Sequence, residues 1–345
     1  MSEKKSSSNQ NLSFPFLFFY ENLLKISMSY FELQSSNTCW KADHDGSDIT
    51  VIRFSPNSRQ LAVGTFNGNV FVRDAITSRL MYKIDVLHTS NPITSIKWHP
   101  KIDNAFLCSS ASGYVSLWHT ETGQNLWMVK EQGNETSSIA ISPSGTQFTT
   151  VGSDKTVRIY AIQKHVLLHE FSARAYDQGT VTGHQSRIYA AAYQNDDVVA
   201  TCGWDDTVLF WDIRTGRVER TIFGPHLSGE SMAFIGNKLI AGSNRSEDQL
   251  QMFDIGTGKC EKSITIGRGG ESLLIYSLGV TTDEKFVGVC GGGLKKLHFY
   301  RSSDLDLAAQ TEIFDTPLMS VHFSESNFGV GLGNSKVLVD KYAID

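Results

Sequence analysis

Three side chains of the types that form a nucleophilic triad occur close together near the middle of the chain. His184, Thr201 and Asp205 lie within GHQSRIYAAAYQNDDVVATCGWDDTVLFWDIR, residues 183–214. In such a triad the imidazole would take the proton of the hydroxyl, and the carboxylate would orient the imidazole. The same groups, joined by the indole of Trp211, could instead form a hydrogen-bonded chain that ties strands and loops together. The pattern of the surrounding sequence favours this structural interpretation.

The segment around these residues is the clearest of seven copies of a β pattern. Each copy has an alternating run such as ITVIRF (49–54), a turn such as SPNS (55–58), a second strand such as LAVGT (61–65), a tight turn and a third strand. Such alternation is typical of strands, and Asn67-Gly68 supplies the positive φ that a two-residue hairpin needs. The third strands end 40–51 residues apart, close to the roughly 40–45 residues of a four-stranded propeller blade. Their predicted last residues are Arg73, Trp118, Tyr160, Trp211, Phe253, Tyr300 and Asp340.

These copies resemble the repeats of the WD40 family, and the resemblance covers about residues 37 to 345. A blade of that family can carry a buried hydrogen-bonded chain of His, Ser or Thr, Asp and Trp. The fourth copy has every member, and the third keeps Thr150 and Asp154 but has Tyr160 in place of the Trp. We therefore expect the fourth blade to be the best braced, and the fifth and sixth to be the least certain in register. The resemblance implies a structural tetrad of His184, Thr201, Asp205 and Trp211.

The expected fold is all-β, a seven-bladed β-propeller of four-stranded antiparallel blades. The seventh copy has no fourth strand of its own, and a strand-like stretch, NTCWK (37–41), precedes the first copy without a blade. The N-terminal strand should therefore complete the last blade and remove an exposed sheet edge. The expected organisation is an N-terminal extension at 1–36 and a complete propeller at 37–345.

The N-terminal extension is the segment that the repeats do not explain. Residues 1–11 are polar and are expected to be disordered, whereas LSFPFLFFY (12–20) is apolar but interrupted by Pro15. Nothing here reaches the roughly 18–20 apolar residues of a membrane span, and no cleavage site of small residues follows. Three interpretations remain: a short helix over 21–28 that packs on the propeller, a peptide that binds a partner or a membrane surface, or a translated extension with Met28 as the natural start.

Composition favours a module of the cytoplasm, the nucleus or both. The five cysteines are scattered and have no CxxC spacing, which argues against a disulfide framework and a zinc site. The net charge of −5 and the lack of a long basic run give no reason to expect nucleic-acid binding. No cofactor and no metal are expected. The expected partners are other proteins, bound by a monomeric propeller within a hetero-complex.

The leading functional hypothesis is a noncatalytic scaffold or adaptor that binds partners through the propeller's top face. It rests on the family resemblance and on the absence of GxxxxGK[ST], HExxH and GxSxG motifs. Gly267-Arg-Gly-Gly could hold an anion but is better explained as a loop. A remote alternative is an enzyme or small-ligand binder that uses the central channel, with His44, His88 and His184 as candidate bases.

Positions that reach the top face in this family carry a large aromatic residue and an arginine in the fourth copy. These positions are the residue before the tight-turn Asp and the start of the innermost strand. Trp204 and Arg187 occupy them there, and this composition is typical of an interface hot spot. The alternative is that Trp204 packs sideways on the next blade. The predicted partner-binding residues are Trp204, Arg187, Phe66, Ser153, Pro92 and Arg245.

Two further alternatives depend on short motifs. WDIR (211–214) resembles the box of WD40 substrate receptors in cullin–RING ubiquitin ligases, where an arginine contacts the adaptor subunit. Arg214 is the candidate for that contact, although Cys202 stands where a smaller residue is usual and no other copy ends in Arg. Lipid binding at the rim is the weaker alternative, because the repeats have only the pair Lys295-Lys296 and no FRRG motif.

Overall fold

All regular elements of the protein are β-strands. The computed structural model describes residues 31–41, 46–86, 90–173, 182–268 and 271–344. These ranges contain 29 strands in seven separate antiparallel sheets and no helix. The expectations for a helix at 21–28 and a long loop before the fourth blade, together with His44 and His88, fall wholly or mainly outside the described residues.

The first four blades each contain four consecutive strands. Their strands are numbered from β2, because β1 (Phe31–Lys41) belongs to the last blade. Blade 1 is β2 (Ile49–Phe54), β3 (Gln60–Thr65), β4 (Asn69–Asp74) and β5 (Leu80–Asp85); blade 2 is β6 (Ile93–Trp98), β7 (Ala105–Ser110), β8 (Tyr114–His119) and β9 (Gln124–Lys130); blade 3 is β10 (Thr136–Ile141), β11 (Gln147–Gly152), β12 (Val157–Ala161) and β13 (Val166–Phe171); blade 4 is β14 (Ile188–Asn195), β15 (Val198–Gly203), β16 (Thr207–Asp212) and β17 (Arg217–Phe223).

Blade 5 has the same pattern of four consecutive strands, whereas blades 6 and 7 depart from it. Blade 6 gains a two-residue fifth strand, β22 (Gly267–Arg268), which forms a hairpin with the start of β23 (Glu271–Val280) at the predicted glycine-rich loop. Blade 5 is β18 (Met232–Ile235), β19 (Lys238–Gly242), β20 (Leu250–Asp254) and β21 (Cys260–Ile264); blade 6 is β22 (Gly267–Arg268), β23 (Glu271–Val280), β24 (Phe286–Gly293), β25 (His298–Arg301) and β26 (Leu307–Gln310); blade 7 is β27 (Leu318–Phe323), β28 (Asn327–Leu332), β29 (Lys336–Ile344) and β1 (Phe31–Lys41).

The ring closes through the predicted N-terminal strand. β1 pairs antiparallel with β29, with Trp40 opposite Val337 and Phe31 opposite Ile344. Because β29 has this partner, it continues to Ile344 instead of ending at Asp340, and β1 begins at Phe31, six residues before the predicted start at Asn37. The seven-bladed propeller and its closure by the first strand are confirmed.

Neighbouring blades pack face to face through buried side chains. Glycines of second strands mark close approaches between blades. A Cβ at Gly64 would lie 2.8 Å from Cγ2 of Ile93 in the next blade, and a Cβ at Gly331 would lie 2.5 Å from Cγ2 of Ile49 across the closure. Larger residues here would collide with the adjacent innermost strand, because interiors are packed without room for an extra methyl group. These small residues therefore set how tightly the blades stack around the channel.

Candidate functional site

The four members of the predicted tetrad form one hydrogen-bonded chain in blade 4. His184 Nδ1 lies 2.8 Å from Asp205 Oδ2, and His184 Nε2 lies 2.7 Å from Thr201 Oγ1. The indole N–H of Trp211 donates to the same Thr201 oxygen at 2.8 Å. His184 and Thr201 are buried, and their polar atoms contact one another, Asp205 and Trp211. The arrangement ties the entry loop, the tight turn and two strands together.

The hydrogen bonds of this chain assign its protons. Asp205 is an acceptor for the backbone N–H of Gln185 and the hydroxyl of Thr207 as well as for His184, so Nδ1 of His184 carries a proton. The Thr201 hydroxyl accepts from the indole and donates to Nε2, which satisfies every polar group. Burial alone would raise the pKa of Asp205, but the hydrogen bonds from His184, Gln185 and Thr207 outweigh burial and hold that pKa below its usual value.

Blade 3 is braced by a residue that the sequence reasoning missed. The buried carboxylate of Glu131 lies in the entry loop and accepts from Thr150 Oγ1 at 2.5 Å and from the Tyr160 hydroxyl at 2.9 Å. Asn134 Nδ2 and Thr136 Oγ1 donate to its other oxygen at 2.7 and 2.9 Å. Burial and the Glu131 charge raise the pKa of Tyr160 well above its usual value. The tyrosine therefore replaces the tryptophan as donor, and the glutamate replaces the histidine and the aspartate.

The tight-turn aspartate of blade 3 has a different partner from its counterpart in blade 4. Asp154 pairs with Arg158 at 2.6 Å, and Arg158 also pairs with Glu170 at 3.0 Å. Because Glu131 contacts the entry loop and strands of blade 3, Asp154 is available to pair with Arg158 on the third strand.

Three of the predicted top-face residues line one cavity at the mouth of the central channel. The cavity has a volume of about 360 Å³, and Phe66, Pro92 and Arg187 are in its wall together with Tyr189 and Tyr276. Phe66 lies in the tight turn between β3 and β4, whereas Pro92 and Arg187 lie just before innermost strands, and these two kinds of position define the top face. Phe66 is 57% exposed. The cavity is therefore an aromatic-rich depression beside exposed apolar surface.

Trp204 lies beside this cavity on blade 4. Its ring centroid is 5.2 Å from that of Tyr189 and 6.3 Å from that of His226, to which it is parallel within 5°. Its side chain nevertheless remains 47% exposed. Trp204 therefore does pack toward the linker into blade 5, and about half of it is still available for contact.

The other predicted top-face residues are connected to this area through ion pairs and hydrogen bonds. Arg187 pairs with Glu135 at 2.7 Å, and the backbone N–H of Glu135 donates to Ser153 Oγ at 2.8 Å. Arg245 pairs with Asp206 at 2.6 Å, and Asp206 also contacts His226. The six predicted residues are thus on one face but do not form one pocket. Phe66, Pro92 and Arg187 line the cavity. Ser153 is connected to Arg187 through Glu135, and Arg245 is connected to Trp204 through Asp206 and His226.

Arg214 lies away from these groups, at the turn that follows β16. Its guanidinium contacts Asp212 at 3.3 Å and Asp197 at 3.8 Å, and the side chain is 67% exposed. The hydrogen bonds and charge of Asp212 and the charge of Asp197 raise its pKa above the usual value. The arginine is accessible but held by its own blade.

The central channel contains a buried charged cluster that was not predicted. Glu230, in the linker before β18, pairs with Arg53 of β2 and with Lys97 of β6, the latter at 2.9 Å. A Cβ at the preceding Gly229 would lie 2.1 Å from the carbonyl oxygen of Tyr276, so glycine is needed for the linker to approach blade 6. The approach carries the Glu230 carboxylate into the channel, where it separates the top cavity from a second cavity below.

A sequence signal for this cluster does exist in the innermost strands. ITVIRF, ITSIKW and LMSVHF each have a basic residue at the fifth of six positions. These residues, Arg53, Lys97 and His322, come from three consecutive blades because blade 7 adjoins blade 1. Since alternate residues of a strand share a face, the pattern indicates a basic channel wall that requires an acid.

The part of the chain that the structure describes has no group of three or more His, Cys, Asp or Glu side chains placed to hold a metal ion. Among those residues, no helix has the length and apolar character needed to cross a membrane.

The fold and the top-face cavity define the class of protein as a seven-bladed β-propeller with a solvent-accessible channel mouth. Two family models match the chain. One is described as Nucleolar protein 10-like, N-terminal domain, over residues 17–166, and the other as WD domain, G-beta repeat, over residues 176–212. With seven blades in the structure, the chain belongs to the WD40-repeat family of seven-bladed β-propellers.

Relatives of this chain have diverse names. The chain is 24% identical to Protein transport protein SEC31 of Chaetomium globosum over 49% of its own length and 13% of that protein's. It is 25% identical to Transcriptional corepressor LEUNIG_HOMOLOG of Arabidopsis thaliana over 49% of its length and 20% of the relative's. It is 22% identical to a Ribosome biogenesis protein WDR12 homolog of Drosophila persimilis over 59% of its length and 51% of the relative's. The chain thus matches about half or less of each relative's length.

Proposed function

We propose that this protein is a noncatalytic interaction module that receives partner proteins on its top face. The observation that carries the proposal is the cavity lined by Phe66, Pro92 and Arg187, with the half-exposed Trp204 next to it. Aromatic and arginine side chains that become fully buried in well-packed pockets of a complex contribute much of the binding energy at protein interfaces. Loops on a rigid frame are suited to this task, and the buried tetrad leaves the exposed residues of blade 4 free to bind.

The top face combines aromatic rings with exposed ion pairs, so it can bind both apolar and charged groups of a partner. Arg187 lies with its guanidinium carbon 5.2 Å from the Tyr189 ring centroid and pairs with the exposed Glu135. A partner can bury the aromatic rings and exchange the solvent-exposed ion pairs for its own. Such exposed pairs are weak, at about 0–1 kcal/mol, and their rearrangement would cost little.

A partner comparison between two variants tests this proposal. Affinity purification with quantitative mass spectrometry would compare Trp204→Ala with Ile76→Ala, a control at an 80% exposed position in the turn after β4. We expect Trp204→Ala to lose partners at least tenfold while its melting temperature stays within a few degrees. Unchanged partners in a folded Trp204→Ala protein would overturn the proposal. Phe66→Ser provides a second test if Trp204→Ala unfolds.

The assembly that we propose is nuclear. The match to a model described as nucleolar protein 10-like, and the ribosome-biogenesis name of the Drosophila persimilis relative, support this location. A fluorescent fusion of the full chain should concentrate in the nucleus, and an exclusively cytoplasmic signal would contradict it. Neither family model nor the three relatives above supports the ligase-receptor alternative.

A further inference from the structure

The central channel contains a second cavity, on the side of Glu230 opposite the top face. It has a volume of about 540 Å³ and opens among the turns between first and second strands, which define the bottom face. Its wall contains Arg53, Lys97 and His322 from blades 1, 2 and 7. None of the predicted partner-binding residues lines this cavity, so it is a separate feature from the proposed top-face surface.

The carboxylate of Glu230 has its acceptor capacity filled by the channel wall. Ser95 Oγ and Ser138 Oγ donate to Oε1 at 2.5 and 2.8 Å. Arg53 and Lys97 donate to Oε2, the latter at 2.9 Å. A carboxylate has about four lone-pair positions. Glu230 therefore cannot accept the remaining donors of the cavity wall.

The wall of the bottom cavity has more positive than negative charge. Arg53 and Lys97 are the cations, with the pKa of Lys97 lowered by burial against the opposing effect of the Glu230 charge, and Glu230 is the one carboxylate among the residues that line the cavity. Burial would raise the pKa of Glu230, but Lys97, Arg53 and their hydrogen bonds lower it to about 2. Two cations thus face one permanent anion, and this leaves one positive charge without a counter-charge in the wall.

Two donors in the wall have unused hydrogen-bonding capacity among the described residues. Lys97 Nζ has three N–H groups and makes one hydrogen bond, to Glu230, and its side chain is 27% exposed. His322 accepts the backbone N–H of Phe54 through Nδ1 at 3.2 Å. Burial and the nearby cations Arg53 and Lys97 hold the pKa of His322 well below its usual value, so the ring is neutral and Nε2 carries the proton. Both groups suit an incoming acceptor.

Apolar wall residues distinguish an organic ligand from an inorganic ion. The partly exposed Ile141 and Val280 and the exposed Pro56 line the same cavity as the charged groups. An inorganic oxyanion would leave this surface in contact with water, whereas an aliphatic chain that ends in a carboxylate would bury it and gain about 25 cal/mol per Å². A side chain presented by a neighbouring protein also fits an opening that is formed by turns of several blades.

We propose that the bottom cavity is a second binding site, which receives an acidic side chain of a partner protein as the counter-charge of Lys97. The carboxylate accepts hydrogen bonds from Lys97 Nζ and His322 Nε2, and the rest of the partner segment packs on the apolar wall. The site would give the propeller two independent docking faces at the two ends of one channel.

Peptide binding to the purified full chain tests this site. The probes are a fluorescein-labelled, amidated hexapeptide of alternating leucine and glutamate and its leucine–glutamine counterpart, followed by anisotropy. We expect the glutamate peptide to bind wild-type protein at least tenfold more tightly, and Lys97→Gln to abolish that difference. Lys130→Gln is the matched control, because Lys130 is an exposed lysine on β9, the outermost strand of the same blade, and it should bind as wild type does.

Other arms of the experiment identify the carboxylate source and separate the two binding faces. Succinate should compete at least a hundredfold more weakly than the peptide, and equal competition would overturn the assignment to a protein segment. Equal binding of both peptides by wild-type protein would overturn the site even if Lys97→Gln failed to fold. Trp204→Ala should bind the glutamate peptide normally, so failure at the top face and failure at the bottom cavity are distinguishable.

Discussion

In blades 3 and 4 an acidic side chain connects the entry loop to the strands through hydrogen bonds, but the acid lies at a different position in each blade. In blade 4 the acid is Asp205 in the tight turn, and His184 connects it to Thr201. In blade 3 the acid is Glu131 in the entry loop, and it contacts Thr150 and the Tyr160 hydroxyl directly. The longer side chain of Glu131 thus reaches the threonine directly, whereas Asp205 in blade 4 needs His184 to do so. A blade is therefore stabilised when its entry loop and strands are connected by acceptor groups that have all their hydrogen bonds. More than one set of residues can provide these connections.

The largest loss of stability is expected for Trp211, the member of the blade 4 hydrogen-bonded tetrad that packs in the core. Trp211 is 2% exposed and stacks on Phe171 with ring centroids 5.5 Å apart. Trp211→Ala should lower the free energy of unfolding by roughly 3–5 kcal/mol, because it removes a buried aromatic ring and leaves a cavity. Urea unfolding measures this change, with the half-exposed Trp204→Ala as control. A loss below about 1 kcal/mol would show that the indole is not a main support of the blade.

An intermediate effect is expected from the acid of blade 3. Glu131→Gln keeps the size of the side chain but replaces one acceptor oxygen by an NH₂ group that faces hydroxyl donors. We expect a loss of about 2–3 kcal/mol in unfolding free energy, typical of hydrogen bonds to a charged group. The control is Glu121→Gln, since Glu121 is exposed and accepts one hydrogen bond, from Asn104. If both variants unfold at the same urea concentration, Glu131 has no bracing role.

The smallest effect is the pH dependence that Asp205 confers on blade 4. Its folded pKa is below the ordinary value of 3.8, so the ionised form stabilises the fold above that value and the benefit is lost as pH falls through the folded pKa. Desolvation offsets part of the gain. The stability difference between wild type and Asp205→Asn should thus be constant from pH 7 to 5 and narrow below about pH 4. Urea midpoints at pH 7, 5, 4 and 3 measure it, and a constant gap to pH 3 would contradict this origin.

The propeller could be predicted from sequence because its information is local. Runs such as ITVIRF and the turn at Asn67-Gly68 specify strands and hairpins within a few residues, and the seven-fold repetition specifies the ring. The closing strand was predictable as well, since an unpaired last blade needs a partner. Its extension back to Phe31 was not, because it depends on how far β29 continues.

The missed residues depend on contacts between distant parts of the chain. Glu131 occupies a linker, and its importance is visible only when the Tyr160 hydroxyl and Thr150 are placed around it. Glu230 reaches the channel because Gly229 approaches Tyr276, a contact fixed by the curvature of the whole ring. The available sequence signal for this cluster was the basic residue at the fifth position of three innermost strands. It becomes visible only when equivalent positions of different blades are compared.

The pairing of β1 with β29 determines when this protein can finish folding during synthesis. The two strands are separated by roughly 300 residues of chain, which a ribosome needs about 15–60 s to make. Six blades can assemble as they emerge, but the first strand must wait without its partner through this whole interval. An unpaired strand edge is a template for wrong pairing. The newborn chain is therefore most exposed to misassembly, and most dependent on chaperones, just before its last strand is released.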